Sequence, residues 1–150
     1  MSVTTNQPGG SYLMPSLQRA TVSDAMHPGI IACEPDASLA EVSQIMAKHH
    51  VHWVAVIGIS HDDPPCGVWS VISDLDLVRA GIRDGDTASA RALARQPLIT
   101  VEPSMALRTA GELMLAHGVS HLVVIESETQ RPIGILSSSD IAGVLAWGEA

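Results

Sequence analysis

Each half of the chain shows the same succession of apolar and polar positions. A short apolar stretch is followed by Glu-Pro, and then by apolar residues spaced three and four positions apart, which is typical of one face of a helix. An unbroken run rich in Val and Ile, a polar loop that contains proline and a second apolar run follow, and together they predict two strands joined by a turn. A last helix is predicted to begin near Ser73 and near Ser137. The predicted order is therefore β-α-β-β-α, twice.

The sequence itself repeats in register. A shift of 68 residues places Ile31–Ile57 on Ile99–Ile125 without a gap, and nine of these 27 positions are identical. Beyond this stretch the shift becomes 64 residues, and it places Ser70–Leu77 on Gly134–Ile141. Each copy has about 60 residues, which is marginal for a domain on its own. We therefore expect the two copies to pack together and to share a core.

The central helix of each copy is predicted to bury one apolar face. Ser38 and Glu41 have the spacing of a capping box at the start of the first of these helices. The apolar positions are Leu39, Val42, Ile45 and Met46 in the first copy and Leu107, Ala110, Leu113 and Met114 in the second.

The repeat also predicts how the chain is divided. We expect a flexible leader (residues 1–19), a first copy (residues 20–83) and a second copy (residues 84–150). Residues 79–96 are predicted to link the copies. This segment carries two pairs of arginines at i,i+4 spacing, which indicates a solvated helical face. The pairs are Arg79 with Arg83 and Arg91 with Arg95.

Composition and charge narrow the possible functions. Of the 150 residues 46% are apolar and 16% charged, which excludes a disordered chain. Sixteen acidic residues against eight basic ones give a net charge of −8, which argues against binding to nucleic acid or to an anionic membrane surface. We find neither a run of the ~20 apolar residues that a membrane span needs nor a signal-peptide core. The two cysteines, Cys33 and Cys66, form no CxxC pair, so we expect the protein to reside in the reducing cytoplasm.

Several strings of residues resemble a known family in their order and duplication. They are Thr21–Met26, then Val51–Val56 with Ser70–Leu77, and Gly118–Val124 with Gly134–Ile141. They resemble a tandem of CBS (cystathionine-β-synthase) domains, and the resemblance covers residues 21–146. It implies an α/β (α+β) fold of two β-α-β-β-α repeats, packed with pseudo-two-fold symmetry around clefts. It also implies a regulatory module that binds an adenosine compound (AMP, ADP, ATP or S-adenosylmethionine), forms a homodimer and signals to a partner protein.

A repeated Ser-x-x-Asp motif supplies the candidate ligand site. One carboxylate can accept hydrogen bonds from both hydroxyls of a ribose, and Asp76 and Asp140 resemble the family's ribose-binding position. Ser73, Ser137 and Ser138 lie at helix starts, where free N–H groups and the positive end of the helix dipole attract phosphate. The alternative is that the serines are N-caps and the aspartates are first-turn acids, and the two interpretations are compatible.

Four further residues complete the predicted ligand set. His52 and His121 lie where a strand begins, and basic residues at this position in nucleotide-binding relatives approach phosphate. The alternative is that both are ordinary residues at a strand end. Ala32 and Thr100, in the first apolar segment of each copy, are also assigned to ligand binding.

The two copies are predicted to differ as ligand sites. Asp74 adds a negative charge to the helix start of the first copy, where the second copy has Ser138 and Ser139. A carboxylate about 4 Å from a phosphate costs roughly 1–4 kcal/mol, depending on the local dielectric. A phosphorylated nucleotide should therefore prefer the copy that carries Asp140.

A metal site is one alternative function. His49, His50 and His52 are followed by a loop with further metal-ligand types, and imidazole and thiolate both suit transition metals. The loop residues are His61, Asp62, Asp63 and Cys66. Because the three histidines occupy positions i, i+1 and i+3 across a helix-to-strand junction, they should point in different directions. A solvated helix end is the other interpretation.

A module without a ligand is the second alternative, with the same fold used only for dimerisation or docking. Helix faces rich in Ala, Leu and Met, such as that of Met114 and Leu115, are predicted to form the homodimer contact. Catalysis is not predicted, because the chain has no Gly-x-Ser-x-Gly elbow, P-loop or dinucleotide fingerprint. No obligatory cofactor is expected.

Overall fold

A computed structural model describes residues 14–58, 67–83, 87–94 and 98–148. The described residues form α1 (Val22–Ala25), β1 (His27–Pro28), β2 (Ala32–Cys33), α2 (Leu39–His49), β3 (Trp53–Ile57), β4 (Val68–Ser73), α3 (Asp74–Arg83), α4 (Ala90–Leu93), β5 (Thr100–Val101), α5 (Leu107–His117), β6 (His121–Ile125), β7 (Pro132–Ser137) and α6 (Ser138–Trp147). The predicted mixed fold of two β-α-β-β-α repeats is confirmed, as β2-α2-β3-β4-α3 and β5-α5-β6-β7-α6.

The strands form two sheets, with the orders β2-β3-β4 and β1-β7-β6-β5. In each sheet a parallel pair (β2 with β3, β5 with β6) adjoins an antiparallel hairpin (β3 with β4, β6 with β7). The hairpin registers correspond, because Trp53 lies opposite Ser73 and His121 lies opposite Ser137. Each hairpin therefore brings the first residue of one strand beside the serine that precedes the last helix.

Both faces of each hairpin are buried. Successive side chains of a strand point to opposite faces. In β3, Trp53 and Ala55 belong to the core between the two sheets, whereas Val54 and Val56 pack with the helices of the first half. Burial on both faces explains why these strands are unbroken apolar runs in the sequence.

Each half contributes a segment to the core of the other. Val22 of α1 is fully buried with Leu107 and other residues of the second half. The adjacent β1 pairs with β7, with His27 opposite Ile135. Conversely, Ala90 of α4 is fully buried in the core of the first half. The first segment of each copy thus packs on the other copy.

The pseudo-two-fold relation is visible in individual contacts. Thr21 forms a bridge with Ala106, and Ser38 forms one with Ser89. The shift of 68 residues that relates the copies converts each of these pairs into the other. The exchange of segments therefore makes the two halves one packing unit.

Some boundaries differ from the sequence prediction. The strand expected at Ile30–Ile31 begins at Ala32, although the Ile31 carbonyl already accepts a hydrogen bond from the Ala55 N–H (2.9 Å). Of the predicted leader, residues 1–13 lie outside the described ranges, and Met14 and Leu17 pack against the core of the second half. Part of the predicted linker, up to Arg83, is the second part of α3.

Candidate functional site

Both Ser-x-x-Asp motifs cap the helix that they begin. The Ser137 N–H donates to Asp140 Oδ2 (2.8 Å), and the Asp140 N–H donates to Ser137 Oγ (3.2 Å). The Ser73 N–H donates to Asp76 Oδ2 (2.8 Å), and the Asp76 N–H donates to Ser73 Oγ (3.3 Å). The capping interpretation is thus confirmed. In each motif this cap uses the oxygen Oδ2 of the aspartate.

The second carboxylate oxygen, Oδ1, has a different partner in each half. Asp76 Oδ1 accepts from Arg79 Nη1 at 3.2 Å, and the Asp76 side chain is only 2% exposed. Asp140 Oδ1 lies 3.1 Å from His27 Nε2, and the Asp140 side chain is 10% exposed. The two carboxylates have the same cap but differ in what a ligand would have to displace.

A cleft of about 330 Å³ lies where β6 begins and β7 ends, and residues of both halves line it. We call it the histidine cleft. Its polar lining consists of His27, His50, His52, His121, Ser137 and Ser139. Apolar side chains such as Trp53 and Ile31 complete it. Asp140 contacts the wall of this cleft through His27. Imidazole and hydroxyl groups can all donate hydrogen bonds, so the lining suits an acceptor-rich ligand.

A larger groove of about 1080 Å³ runs along α5 to the starts of α3 and α6. Ser138 and Asp74 line it. Four residues line both this groove and the histidine cleft, namely His52, His121, Ser137 and Ser139. The two cavities therefore adjoin at the helix starts, where sequence analysis placed the phosphate-binding groups.

His121 is held in place by its neighbour. Its Nδ1 lies 2.9 Å from Ser120 Oγ, and where Nδ1 accepts that hydroxyl the ring proton is on Nε2. Burial lowers the pKa of His121 below its usual 6.5, and the carboxylates of Asp74, Asp140 and Asp76 only partly offset this. The imidazole is therefore neutral at pH 7 without a ligand.

Asp74 is exposed at the start of α3. Its Oδ1 accepts from the Leu75 N–H (2.8 Å), and its Oδ2 lies 3.4 Å from Nδ1 of the exposed His52. Asp74 lines the large groove together with Ser138 and Ser139 of the second half, and its carboxylate also acts on the pKa of His121. Its negative charge is therefore not confined to the first half, and the difference between the copies predicted from Asp74 is not supported by its position.

The remaining predicted residues lie elsewhere. Asp76 is buried, and neither Asp76 nor Asp140 is among the residues that line the two cavities described here. Ala32 pairs with Ala55 in the parallel strands of the first half, and Thr100 pairs with Val123 at the equivalent place in the second. Neither lines the histidine cleft or the large groove, and their roles in binding stay predictions.

His27 and His50 also line the histidine cleft, although neither was predicted from the sequence to belong to the ligand site. His27 reaches the cleft because β1 pairs with β7, and its counterpart in the repeat, Arg95, lies outside the described residues. His50 ends α2 in the left-handed conformation (φ 53°), as Gly118 ends α5 (φ 64°). The replacement of glycine by histidine between the copies is the signal that marks His50.

Metal binding finds no support in the described part of the chain. Its residues include no group of three or more His, Cys, Asp or Glu side chains placed to hold a metal ion. The predicted ligands His61, Asp62, Asp63 and Cys66 lie outside the described ranges. Burial, and then the Glu41 carboxylate, raise the pKa of Cys33 to about 11, so this thiol is protonated at neutral pH.

No helix within the described ranges is both long enough and apolar enough to span a bilayer.

The sequence model of the CBS domain family matches residues 22–83 and 90–146 of the chain. An uncharacterized protein of Methanopyrus kandleri is 28% identical over 131 residues, and the match covers 85% of this chain but only 64% of that protein. Hypoxic response protein 1 of Mycobacterium tuberculosis is 28% identical over 125 residues, covering 81% of this chain and 82% of that one.

Three solved structures are similar in fold. One is a CBS domain pair in complex with methylthioadenosine and S-adenosyl-L-methionine (TM-score 0.71, 18% identity, 85% of this chain and 96% of that one). Another is the CBS domain of a bacterial Mg²⁺ transporter in complex with ATP (0.69, 18%, 89% and 92%). The third is a hypoxic response protein with two coordinated zinc ions (0.62, 26%, 83% and 98%).

Proposed function

This chain belongs to the CBS domain family, and from that premise we propose that it is a regulatory module that senses an adenosine compound. The ligand binds in the half that carries Asp140, and the bound state is passed to a partner protein. Because CBS domain pairs are generally regulatory and non-catalytic modules, the proposed site is a sensor site.

One observation carries the proposal, namely the state of the Asp140 carboxylate. Its Oδ2 is fixed by the Ser137 N–H, so the carboxylate is oriented before any ligand arrives. Among the hydrogen bonds and ion pairs of the described residues, Asp140 Oδ1 has one contact, with Nε2 of His27. The His27 side chain is 69% exposed. An exposed imidazole can rotate into solvent at little cost, which leaves Oδ1 to accept from ribose hydroxyls.

The cleft favours a phosphate on the ligand. Its polar lining is made of imidazole and hydroxyl groups, which donate to phosphate oxygens. Ser138 and Ser139 are at the start of the ten-residue helix α6, whose dipole adds a positive field there. We therefore expect AMP, ADP or ATP to bind more tightly than S-adenosylmethionine, whose sulfonium is positive.

The bound compounds of similar proteins support the adenosine part of the proposal. One CBS domain pair of this fold holds methylthioadenosine and S-adenosyl-L-methionine, and another CBS domain holds ATP. Adenosine is the group that these three compounds have in common.

Thermal unfolding with a panel of ligands tests the proposal. At about 100 times its dissociation constant, a ligand adds ~2.7 kcal/mol of stability, which raises the Tm by roughly 5–10 °C for a chain of this size. We expect saturable shifts with adenine nucleotides. A shift with Zn²⁺ alone would favour the metal alternative, and no shift with either would favour a module without a ligand.

A further inference from the structure

We propose that Arg79 closes the first-half site from within, so that the protein has one open adenosine site and not two. The guanidinium occupies Asp76 Oδ1, the oxygen that a ribose would use. This inference rests on the proposed function, because it takes Asp140 as the open counterpart of Asp76.

Asp76 has no free oxygen for a ligand. Its Oδ2 accepts from the Ser73 N–H (2.8 Å) and from Ser73 Oγ (3.1 Å). Its Oδ1 accepts from Arg79 Nη1 (3.2 Å), one helical turn further along α3. The side chain of Asp76 is 2% exposed, so water has little access to this carboxylate, and the counter-charge is provided by the side chain of Arg79, which is 40% exposed.

The second half has the same cap without the arginine. The 64-residue shift places Arg79 on Gly143, which has no side chain to reach Asp140. The partner of Asp140 Oδ1 is instead His27, which comes from a different element and is charged only when protonated. Arg79, in contrast, lies on the same helix as Asp76, and an arginine is charged at every physiological pH.

The free energy needed to replace the partner of Oδ1 by a ligand differs between Asp76 and Asp140. A ribose offers neutral hydroxyls, whereas the guanidinium offers a charge-assisted hydrogen bond to a carboxylate that is shielded from water. Removal of the cation leaves a buried charge without its counter-ion, which is strongly unfavourable. A ligand at Asp76 must therefore displace a partner that it cannot replace in charge, whereas a ligand at Asp140 displaces an exposed imidazole.

The structure allows the arginine to be moved between the halves. A Cβ atom placed on Gly143 has no heavy atom within 4 Å, so α6 has room for a side chain at this position. Gly143→Arg should reproduce in the second half the arrangement of Arg79 and Asp76. Arg79→Gln should open the first half, because a neutral, shorter side chain competes less well for Asp76 Oδ1.

Calorimetric titration with AMP and ATP measures the number of sites in each variant. We expect one site per chain in the wild type, two in Arg79→Gln, and at least a tenfold loss of affinity in Gly143→Arg. Arg83→Gln on the exposed end of the same helix and Gly143→Ala are the matched controls, and both should behave as the wild type does.

Two equal sites in the wild type would overturn the inference. So would an unchanged site number in Arg79→Gln, or wild-type affinity in a folded Gly143→Arg. If Arg79→Gln does not fold, Gly143→Arg decides the question alone, because it leaves the Asp76 pair intact. A wild type that binds none of the nucleotides would instead reject the proposed function, and the two failures are thereby distinguishable.

Discussion

A carboxylate in the first turn of a helix has two oxygens, and Asp76 and Asp140 use them differently. In both, one oxygen caps the helix through the preceding serine. The other oxygen is held by Arg79 in the first half and contacts the exposed His27 in the second. The ligand site proposed at Asp140 is therefore compatible with the cap, whereas a ligand at Asp76 would have to compete with Arg79. Equivalent residues in a repeat need not have equivalent functions.

His121 predicts a pH dependence of stability at the scale of one residue. Burial lowers its pKa in the folded protein below 6.5, so the unfolded chain takes up the proton first as the pH falls. Stability due to neutral His121 is thus complete above about pH 6.5 and is lost as the pH falls from there through the lowered pKa. Between about pH 7.5 and 5.5 the Tm of the wild type should fall more than that of His121→Gln.

The exposed His49 provides the control for this measurement. His49→Gln, a substitution at the exposed last residue of α2, should follow the wild type over the same pH range. Parallel Tm curves for the wild type and His121→Gln would show that His121 does not contribute to the acid sensitivity.

The sequence predicted the cap residues but not the pairing of Arg79. An acid and a base at i,i+3 spacing on a helix are visible in the sequence, yet the i,i+4 spacing of Arg79 and Arg83 equally predicts a solvated face. The choice depends on the burial of Asp76, which is set by packing of distant elements. No local pattern contains that information.

At the scale of elements, the hairpins and the central helices follow from the periodicity of apolar residues. The pairing of β1 with β7 does not, because its partners, such as His27 and Ile135, are more than 100 positions apart. Two-residue strands and four-residue helices are also too short for a period to show. The sequence therefore predicted the repeats and the caps at the helix starts, and missed His27, which the exchanged segment brings to the histidine cleft.

The end of α2 offers a matched pair of substitutions. His50 has a left-handed backbone (φ 53°), which costs a residue with a side chain about 1 kcal/mol or more, whereas Gly118 adopts it freely. His50→Gly should leave the free energy of unfolding unchanged or raise it by up to ~1 kcal/mol, and Gly118→His should lower it by ~1 kcal/mol. Urea denaturation measures both.

Nucleotide affinity tests whether His50 contributes to ligand binding in addition to ending α2. Because His50 lines the histidine cleft, His50→Gly should bind AMP and ATP more weakly although it is no less stable. A variant that is stabilised and binds as tightly as the wild type would remove His50 from the ligand site.

At the scale of the whole molecule, the exchanged segments join the two halves, while several large apolar side chains on the outer helices stay exposed. These are Leu75, Val78, Ile82, Leu115, Leu145 and Trp147. Of the predicted dimer contact, Leu115 is 86% exposed, whereas Met114 is buried in the core and is not available. The exposed apolar residues of α3, α5 and α6 are the surface on which the predicted homodimer would form.

The homodimer stays a prediction with a direct test. Light scattering at micromolar concentration should give a mass of about 32 kDa, twice the chain mass of 15.8 kDa. Ile82→Asp should shift the population toward the monomer, because Ile82 is 81% exposed and a carboxylate there opposes apolar contact. A wild-type mass near that of one chain would contradict the prediction.

The most direct test of an adenosine site at Asp140 is calorimetric titration of Asp140→Asn beside the wild type. Asparagine still offers an oxygen to the Ser137 N–H, so the cap is kept while the carboxylate charge is removed. We expect the affinity for AMP and ATP to fall roughly 10- to 100-fold, with the Tm nearly unchanged and with Asp36→Asn, at an exposed loop acid, binding as the wild type does. Equal affinities in the wild type and in a folded Asp140→Asn would contradict the assignment of this site.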